Sequence, residues 1–316
     1  MSGRLRRGEA TAGSNRIRGR VEPPSPSEIR RLPPLGSEER ETLARRGREA
    51  IARGEVGAVI LAGGMATRFG GVVKAGVKVL GDQSFLDLKL ADVRRAAERA
   101  GGVVPVYLMT SFATHDEVKR LASAHPSAAA PVECFPQMIS VRLTPDGEVF
   151  READGQPSLY APGHGDLTFA LRKRGVLSRF LAAGGRTLFM SNVDNLTATL
   201  DPAVIGAHLE TNASITVEVA DKAPGDKGGA PARVDGQLEI VEAFRFPEGF
   251  DQDSIPVFNT NTLLLDARAI DRDFDLTWFA VEKEVDGRRA VQFERLVGQL
   301  TAFLPSHFLR IERQGI

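Results

Sequence analysis

The sequence predicts an α/β protein built on a doubly wound, mostly parallel sheet with inserted β-hairpins. Two observations carry this. In the first half of the 316-residue chain, apolar runs of strand length alternate with amphipathic helical stretches, the pattern of βαβ units. Two Asp-Gly pairs, 146–147 and 235–236, sit within β-rich stretches where tight hairpin turns need a positive φ.

In chain order, Ser37 is the N-cap of a helix that runs to about Arg53, with Glu38, Glu39 and Glu41 at the favourable end of the helix dipole. Val56–Ala62 reads as a buried strand, and 84–100 as a helix with Phe85, Leu88 and Ala91 on its apolar face. PVYLMTS (105–111) and VECFPQ (132–137) read as strands around a helix at 113–125. Residues 140–150 read as a hairpin, 166–183 as a helix and RTLFMSNVDN (186–195) as a strand with a polar tip. A helix at 202–210, the strand SITVEVAD, the hairpin 230–244, the β-rich VFNTNTLLLD (257–266), a helix near 290–302 and the strand FLRIER complete the order. The first 36 residues, rich in Arg, Pro, Gly and Ser, read as a disordered tail, and 37–316 as one domain.

Composition narrows the function. Lys+Arg and Asp+Glu both number 41, so a general nucleic-acid binder, which needs a basic excess, is disfavoured. No apolar run is long enough to span a bilayer, and the tail lacks the apolar segment of a secretory signal. A single cysteine, Cys134, excludes an intrachain disulfide; the chain reads as cytoplasmic. Protein partners are not specified. No G-x-S-x-G elbow is present, which disfavours acyl transfer by serine.

The chemistry concentrates where strands end. LAGGMATRFGGVVK (61–74) runs from an apolar strand into a glycine-rich, basic loop. Glycine lets backbone N–H groups approach an anion, and Arg68 and Lys74 add positive charge. The loop matches neither the P-loop nor the dinucleotide fingerprint. An ordinary strand-to-helix turn would look similar on the loop alone. In SNVDN (191–195), Asp194 follows an apolar strand and suits a Mg²⁺ held by one carboxylate plus substrate phosphates; a turn-capping aspartate is the alternative. YAPGHGDL (160–167) sets His164 between glycines, with no second ligand for zinc nearby. FNTN (258–261) offers amides at i and i+2, on one face of a strand, suited to sugar hydroxyls or equally to a turn. Lys283 lies in VEKEVDGRRAV, a polar stretch where a solvated lysine is the plain reading.

Taken in order, these stretches resemble the UTP–glucose-1-phosphate uridylyltransferase family and its UDP-N-acetylhexosamine pyrophosphorylase relatives. LAGGMATRFGG, SFLDLKL (84–90), FPQ (135–137), APGHGDL (161–167), NVDN (192–195), KGG (227–229), FNTN and the Lys283/VQFERLVGQL stretch follow the family's order over about 55–313. The resemblance implies a Rossmann-like sheet of the nucleotide-diphospho-sugar transferase type. It implies that the backbone of Ala62, Gly63 and Gly64, with Thr67, Gln137 and Gly163, holds the nucleotide. It places Arg68, Lys74 and Lys283 at the phosphates as catalytic residues and Asp194 on Mg²⁺. It lines the sugar-phosphate site with His164, Asn192, Gly229, Glu242, Asn259 and Asn261. Departures exist: Ala66 stands where glycine is frequent, and Val73-Lys74 replaces Pro-Lys with one residue fewer, which makes Lys78 a rival to Lys74. The chain ends before the C-terminal β-helix of eukaryotic relatives.

The implied reaction joins UTP and a sugar 1-phosphate, glucose 1-phosphate first, into a UDP-sugar and pyrophosphate. N-acetylglucosamine 1-phosphate is the second choice. A nucleotide-sugar-dependent glycosyltransferase and an inactive UDP-sugar binder are the alternatives.

Overall fold

The computed structural model describes residues 1–9, 11–66, 71–223, 226 and 228–312. Its centre is an eight-stranded sheet. Strands β1 (Ile29–Arg31), β2 (Val56–Leu61), β3 (Val106–Thr110), β4 (Val132–Pro136), β5 (Thr187–Asn192), β6 (Ile215–Asp221), β9 (Val257–Asp266) and β12 (Ser306–Arg310) lie in the order β1-β12-β6-β9-β5-β2-β3-β4. Only β9 runs antiparallel to its neighbours. Outside this sheet, β7 (Ala230–Val234) pairs with β8 (Gln237–Val241), and β10 (Phe279–Val285) with β11 (Arg288–Glu294).

The strands are buried on both faces, as a doubly wound sheet demands. In β2, Ala58 and Ile60 pack among α1 (Glu38–Ala52), α2 (Phe85–Ala100), α3 (His115–Ser123) and α6 (Pro202–Glu210). Val59 and Leu61 point the other way, toward α4 (Leu167–Lys173) and α5 (Val176–Ala182). Helices α1 and α6 cross closely enough that a Cβ on Gly47 would fall 1.9 Å from the Pro202 carbonyl oxygen. One on Gly206 would fall 1.9 Å from that of Leu43. Helix α2 begins with a capping box: the Ser84 hydroxyl accepts from Asp87 N–H, and Asp87 accepts from Ser84 N–H.

This winding places the site. From β2 the chain moves outward through β3 to β4, then returns to put β5 on the other side of β2. The crevice beyond the carboxyl ends of such diverging strands is where ligands bind in open α/β sheets. Leu61 and Asn192 pair directly at those ends.

Three expectations are corrected. The first 36 residues are not a featureless tail. Ile29–Arg31 adds an edge strand to the sheet, Val21–Glu22 pairs with β7, and the Asn15 side chain bonds both backbone groups of Ala280. Leu5 packs on Leu143, Ala280, Val291 and Phe293. Isolated apolar residues, each landing on its own patch, order a segment whose average composition is polar. The segment 166–183 is two short helices, broken at Gly175, whose φ of 70° lies in the left-handed region. The stretch 290–302 is helical only in its second part: 288–294 is β11, followed by a 3₁₀ helix, Val297–Ala302. Asp286 and Gly287, with φ of 50° and 69°, form a tight turn that folds β11 back on β10. No helix among the described residues is long and apolar enough to cross a membrane.

Candidate active site

The glycine-rich loop leaves β2 under tight constraint. Ala62 N–H donates to the Met109 carbonyl at 2.8 Å, and its carbonyl accepts from the Thr114 hydroxyl at 3.1 Å, so its N–H is already committed to the sheet. A Cβ on Gly63 would lie 2.6 Å from Gln137 Nε2 and 3.1 Å from Ser111 N, so only glycine lets the Gln137 amide lie this close. Gln137 is 6% exposed, and its Oε1 is buried with no hydrogen-bond partner among the described residues. An acceptor left over in this way costs about 1–3 kcal/mol and suits a ligand that brings a donor.

Past Gly64, Met65–Ala66 pairs antiparallel with Val72–Val73, and Lys74 N–H donates to the Gly64 carbonyl at 3.1 Å. The Lys74 stem passes over Gly64 and its Nζ reaches Asp194 Oδ2 at 2.8 Å. Lys78 turns elsewhere, 3.6 Å from Asp87. The structure therefore brings Lys74, not Lys78, to the aspartate. Thr67, Arg68 and Lys227 lie outside the described residues.

The polar tip of β5 meets β9 to form a continuous wall. Asn261 Nδ2 donates to Asn192 Oδ1 at 3.0 Å, and Asn261 N–H donates to Asn259 Oδ1 at 3.0 Å. Asn259 N–H donates to the Gly229 carbonyl at 2.7 Å, and a Cβ on Gly229 would lie 2.9 Å from Glu242 Oε2. A bulge opposite Glu218 and Val219 puts Asn261 at φ 56°, a left-handed conformation that asparagine tolerates better than most residues. Burial pushes the Glu242 carboxyl up, partly offset by the Arg245 guanidinium.

The His164 loop docks on the end of β11. Gly163 has φ 90°, and a Cβ there would lie 2.6 Å from the Arg295 carbonyl oxygen. The His164 ring Nδ1 accepts from Val297 N–H at 3.0 Å, which assigns the proton to Nε2. His164 keeps some exposed surface, yet burial of its ring lowers the pKa to about 4, so the imidazole is a neutral donor at neutral pH.

One support escaped the sequence reading. Asp166, fully buried, accepts from Met138 N–H and pairs with Arg295, whose guanidinium lies 4.1 Å from the Trp278 ring centroid. It thereby joins the residue after Gln137 to the His164 loop. Its only sequence signal is its place in the GHGD stretch. Lys283 is exposed on β10, and no hydrogen bond or ion pair links it to this cluster among the described residues.

The glycine-rich loop, the aspartate with its lysine and the amide wall thus meet at the carboxyl ends of β2 and β5. A family model for UTP--glucose-1-phosphate uridylyltransferase matches residues 9–315. The chain belongs to that family. Within it, UTP--glucose-1-phosphate uridylyltransferase 2 of Dictyostelium discoideum is 29% identical over 261 residues, covering 77% of this chain and 52% of that protein. The enzyme of Saccharomyces cerevisiae is 30% identical over 263 residues, 80% of this chain and 51% of its own. The chain spans about half the length of these curated relatives. Two solved structures share the fold. The uridine diphosphate N-acetylglucosamine pyrophosphorylase of Trypanosoma brucei matches with TM-score 0.80 at 19% identity, over 99% of this chain and 70% of that one. The UDP-glucose pyrophosphorylase of Leishmania major, in complex with UDP-glucose, matches with TM-score 0.72 at 22% identity, over 91% and 67%.

Proposed function

We propose that this protein is a uridylyltransferase that joins UTP to a sugar 1-phosphate, with glucose 1-phosphate the substrate, releasing pyrophosphate. The observation that carries the reading is the meeting of Lys74 and Asp194, 2.8 Å apart, from loops that leave adjacent strands. A cation for phosphates and an anion for a metal stand together beside the amide wall of Asn192, Asn259 and Asn261.

In this reading a phosphate oxygen of the sugar 1-phosphate attacks the α-phosphorus of UTP in line. The bond to the β-phosphate oxygen breaks and pyrophosphate leaves. No protein nucleophile takes part, so the chain contributes alignment and charge stabilisation. Gln137, beside Gly63, reads uracil, since a side-chain amide offers both a donor and an acceptor. The N–H groups of Gly63 and Gly64 have no intramolecular partner among the described residues and can face the nucleotide. Lys74 and Arg68 face the triphosphate, His164 Nε2–H donates to the sugar phosphate, and Glu242 and Asn261 hold sugar hydroxyls. Lys283 approaches the reacting phosphate from the hairpin.

Among the described residues no group of three or more His, Cys, Asp or Glu side chains converges. Asp194 offers a single, partly exposed carboxylate. That donor set fits Mg²⁺, whose sites combine one or two carboxylates with substrate phosphates and water. When bound, Mg²⁺ would supply charge neutralisation at the α-phosphate. The test is pyrophosphate release with UTP and a panel of sugar 1-phosphates. Turnover of glucose 1-phosphate above the rest is expected. Preference for N-acetylglucosamine 1-phosphate would reassign the sugar, and no release with any member would overturn the reading.

A further inference from the structure

Helix α2 buries a lysine that the reaction does not touch. Lys89 is 3% exposed and sits among Leu86, Leu90 and Val93 on the inner face of the helix, its ammonium 6.0 Å from the Phe189 ring centroid. An apolar side chain of similar length would fill that space without the cost of desolvating a charge. The ammonium donates instead to the Ala198 carbonyl at 2.5 Å. One helical turn on, Asp92 Oδ2 accepts from Leu200 N–H at 2.8 Å. Both bonds fasten the segment that follows β5, which carries Asp194. Its near end is closed by Asn195, whose Oδ1 accepts from Thr197 Oγ1 and Ala198 N–H and whose Nδ2 donates to the Thr260 carbonyl.

We propose that Lys89 is a positioning residue for Asp194, holding the 193–200 loop from below so that the carboxylate stands ready for the metal. This rests on the reading of Asp194 as the metal carboxylate. The same helix starts at Ser84, where Phe85 N–H donates to the carbonyl of Val77 in the segment just after Lys74. One rigid element therefore underlies both charged partners in the crevice. Burial lowers the Lys89 pKa to about 8, while the carboxylates of Asp92, Glu218 and Asp194 act in the opposite sense.

The test compares full-length wild type, Lys89→Met, Lys89→Gln and Asp194→Asn. Titration calorimetry of UTP with and without Mg²⁺ yields a ratio of affinities that isolates the metal's share. Hydrogen exchange reports amides 193–200 in the ligand-free protein. Lys89→Met should speed exchange in that loop and reduce the ratio about tenfold, the low end for losing an outer partner of a metal ligand. Lys89→Gln, which keeps a donor for the Ala198 carbonyl, should fall between. UTP affinity without Mg²⁺ should not move, which a general loss of structure would not spare. A ratio within about twofold of wild type in Lys89→Met, outside that range, with Asp194→Asn still lowering it, would overturn the inference alone. If Asp194→Asn also leaves the ratio intact, the metal reading itself falls. Should Lys89→Met not fold, Asp92→Ala, which removes the acceptor for Leu200 N–H, carries the same comparison.

Discussion

Lys74 and Lys283 enter the sequence on similar terms, each a lysine in a polar stretch, yet the fold treats them differently. Lys74 is half-buried, its stem laid over Gly64 and its ammonium bonded to Asp194. Lys283 stands on an exposed hairpin strand, with Arg289 rather than Lys283 paired to neighbouring Glu282. Lys74 is carried by the central sheet and its helices, and Lys283 by a two-stranded ribbon. A charge held in place before substrate arrives costs nothing to organise during reaction, whereas one on a ribbon must be brought in. The comparison teaches which lysine should dominate.

The sharpest test is Lys74→Met beside Asp194→Asn. Removing one preorganised stabilising group typically costs about 10²–10³ in kcat, and each variant should fall in that range in steady-state assays of UTP-dependent pyrophosphate release. Their losses should not add, because the two groups meet in one contact and act on one charge. Additive losses would separate them functionally. Next comes Gln137→Ala. An unmet polar group at the base should cost about 1–3 kcal/mol, roughly 5- to 150-fold in kcat/KM for UTP, with discrimination against CTP reduced. Equal use of UTP and CTP by the wild type would end the base-reading role. Smaller still is Lys283→Ala, for which we expect about tenfold in kcat, near 1.4 kcal/mol of transition-state stabilisation, with KM for UTP little changed. A loss as large as that of Lys74→Met would erase the asymmetry drawn above.

Which parts were legible follows from the reach of local signals. Seven strands of the central sheet were legible because each is a short apolar or β-rich run; the polar edge strand Ile29–Arg31 was not. The wall of Asn192, Gly229, Glu242, Asn259 and Asn261 came from the family order, and one bulge assembles it. The hairpins divided. Asp235-Gly236 declares itself between β-rich runs, while Asp286-Gly287 is the same turn with the same positive φ. It was hidden because Ala290, Phe293, Val297 and Leu300 recur at helical spacing. Cross-strand pairing with β10 overrides that period. The N-terminal segment was misread because order there depends on partners 100 to 300 residues away, such as Ala280 for Asn15. Lys89 and Asp166 were missed for a related reason. Each acts through a backbone group on a distant loop, which no local pattern records.

The gentlest test probes the contact of the His164 loop with Val297, just beyond the ribbon. Burial holds the folded His164 pKa near 4 against an ordinary value of 6.5. The unfolded chain therefore takes up a proton first as the medium acidifies. The sign is that stability is complete above about pH 6.5 and declines as pH falls toward 4, because protonation favours the unfolded state. The structural cause is specific: a proton on Nδ1 removes the acceptor for Val297 N–H and charges a buried ring. His208, buried against the Thr216 hydroxyl, is also lowered to about 4 and contributes in the same direction. His164→Gln keeps an amide oxygen that can accept from Val297 N–H but cannot take a proton in this range. The fall in melting temperature from pH 6.5 to 4 should then shrink but not vanish, because His208 and His307, whose pKa burial also lowers, supply the rest of the histidine contribution. Carboxylates are common to both proteins and cancel in the difference. An identical fall in wild type and variant would mean that the His164 ring is not held neutral by its packing, and that the contact does not depend on it.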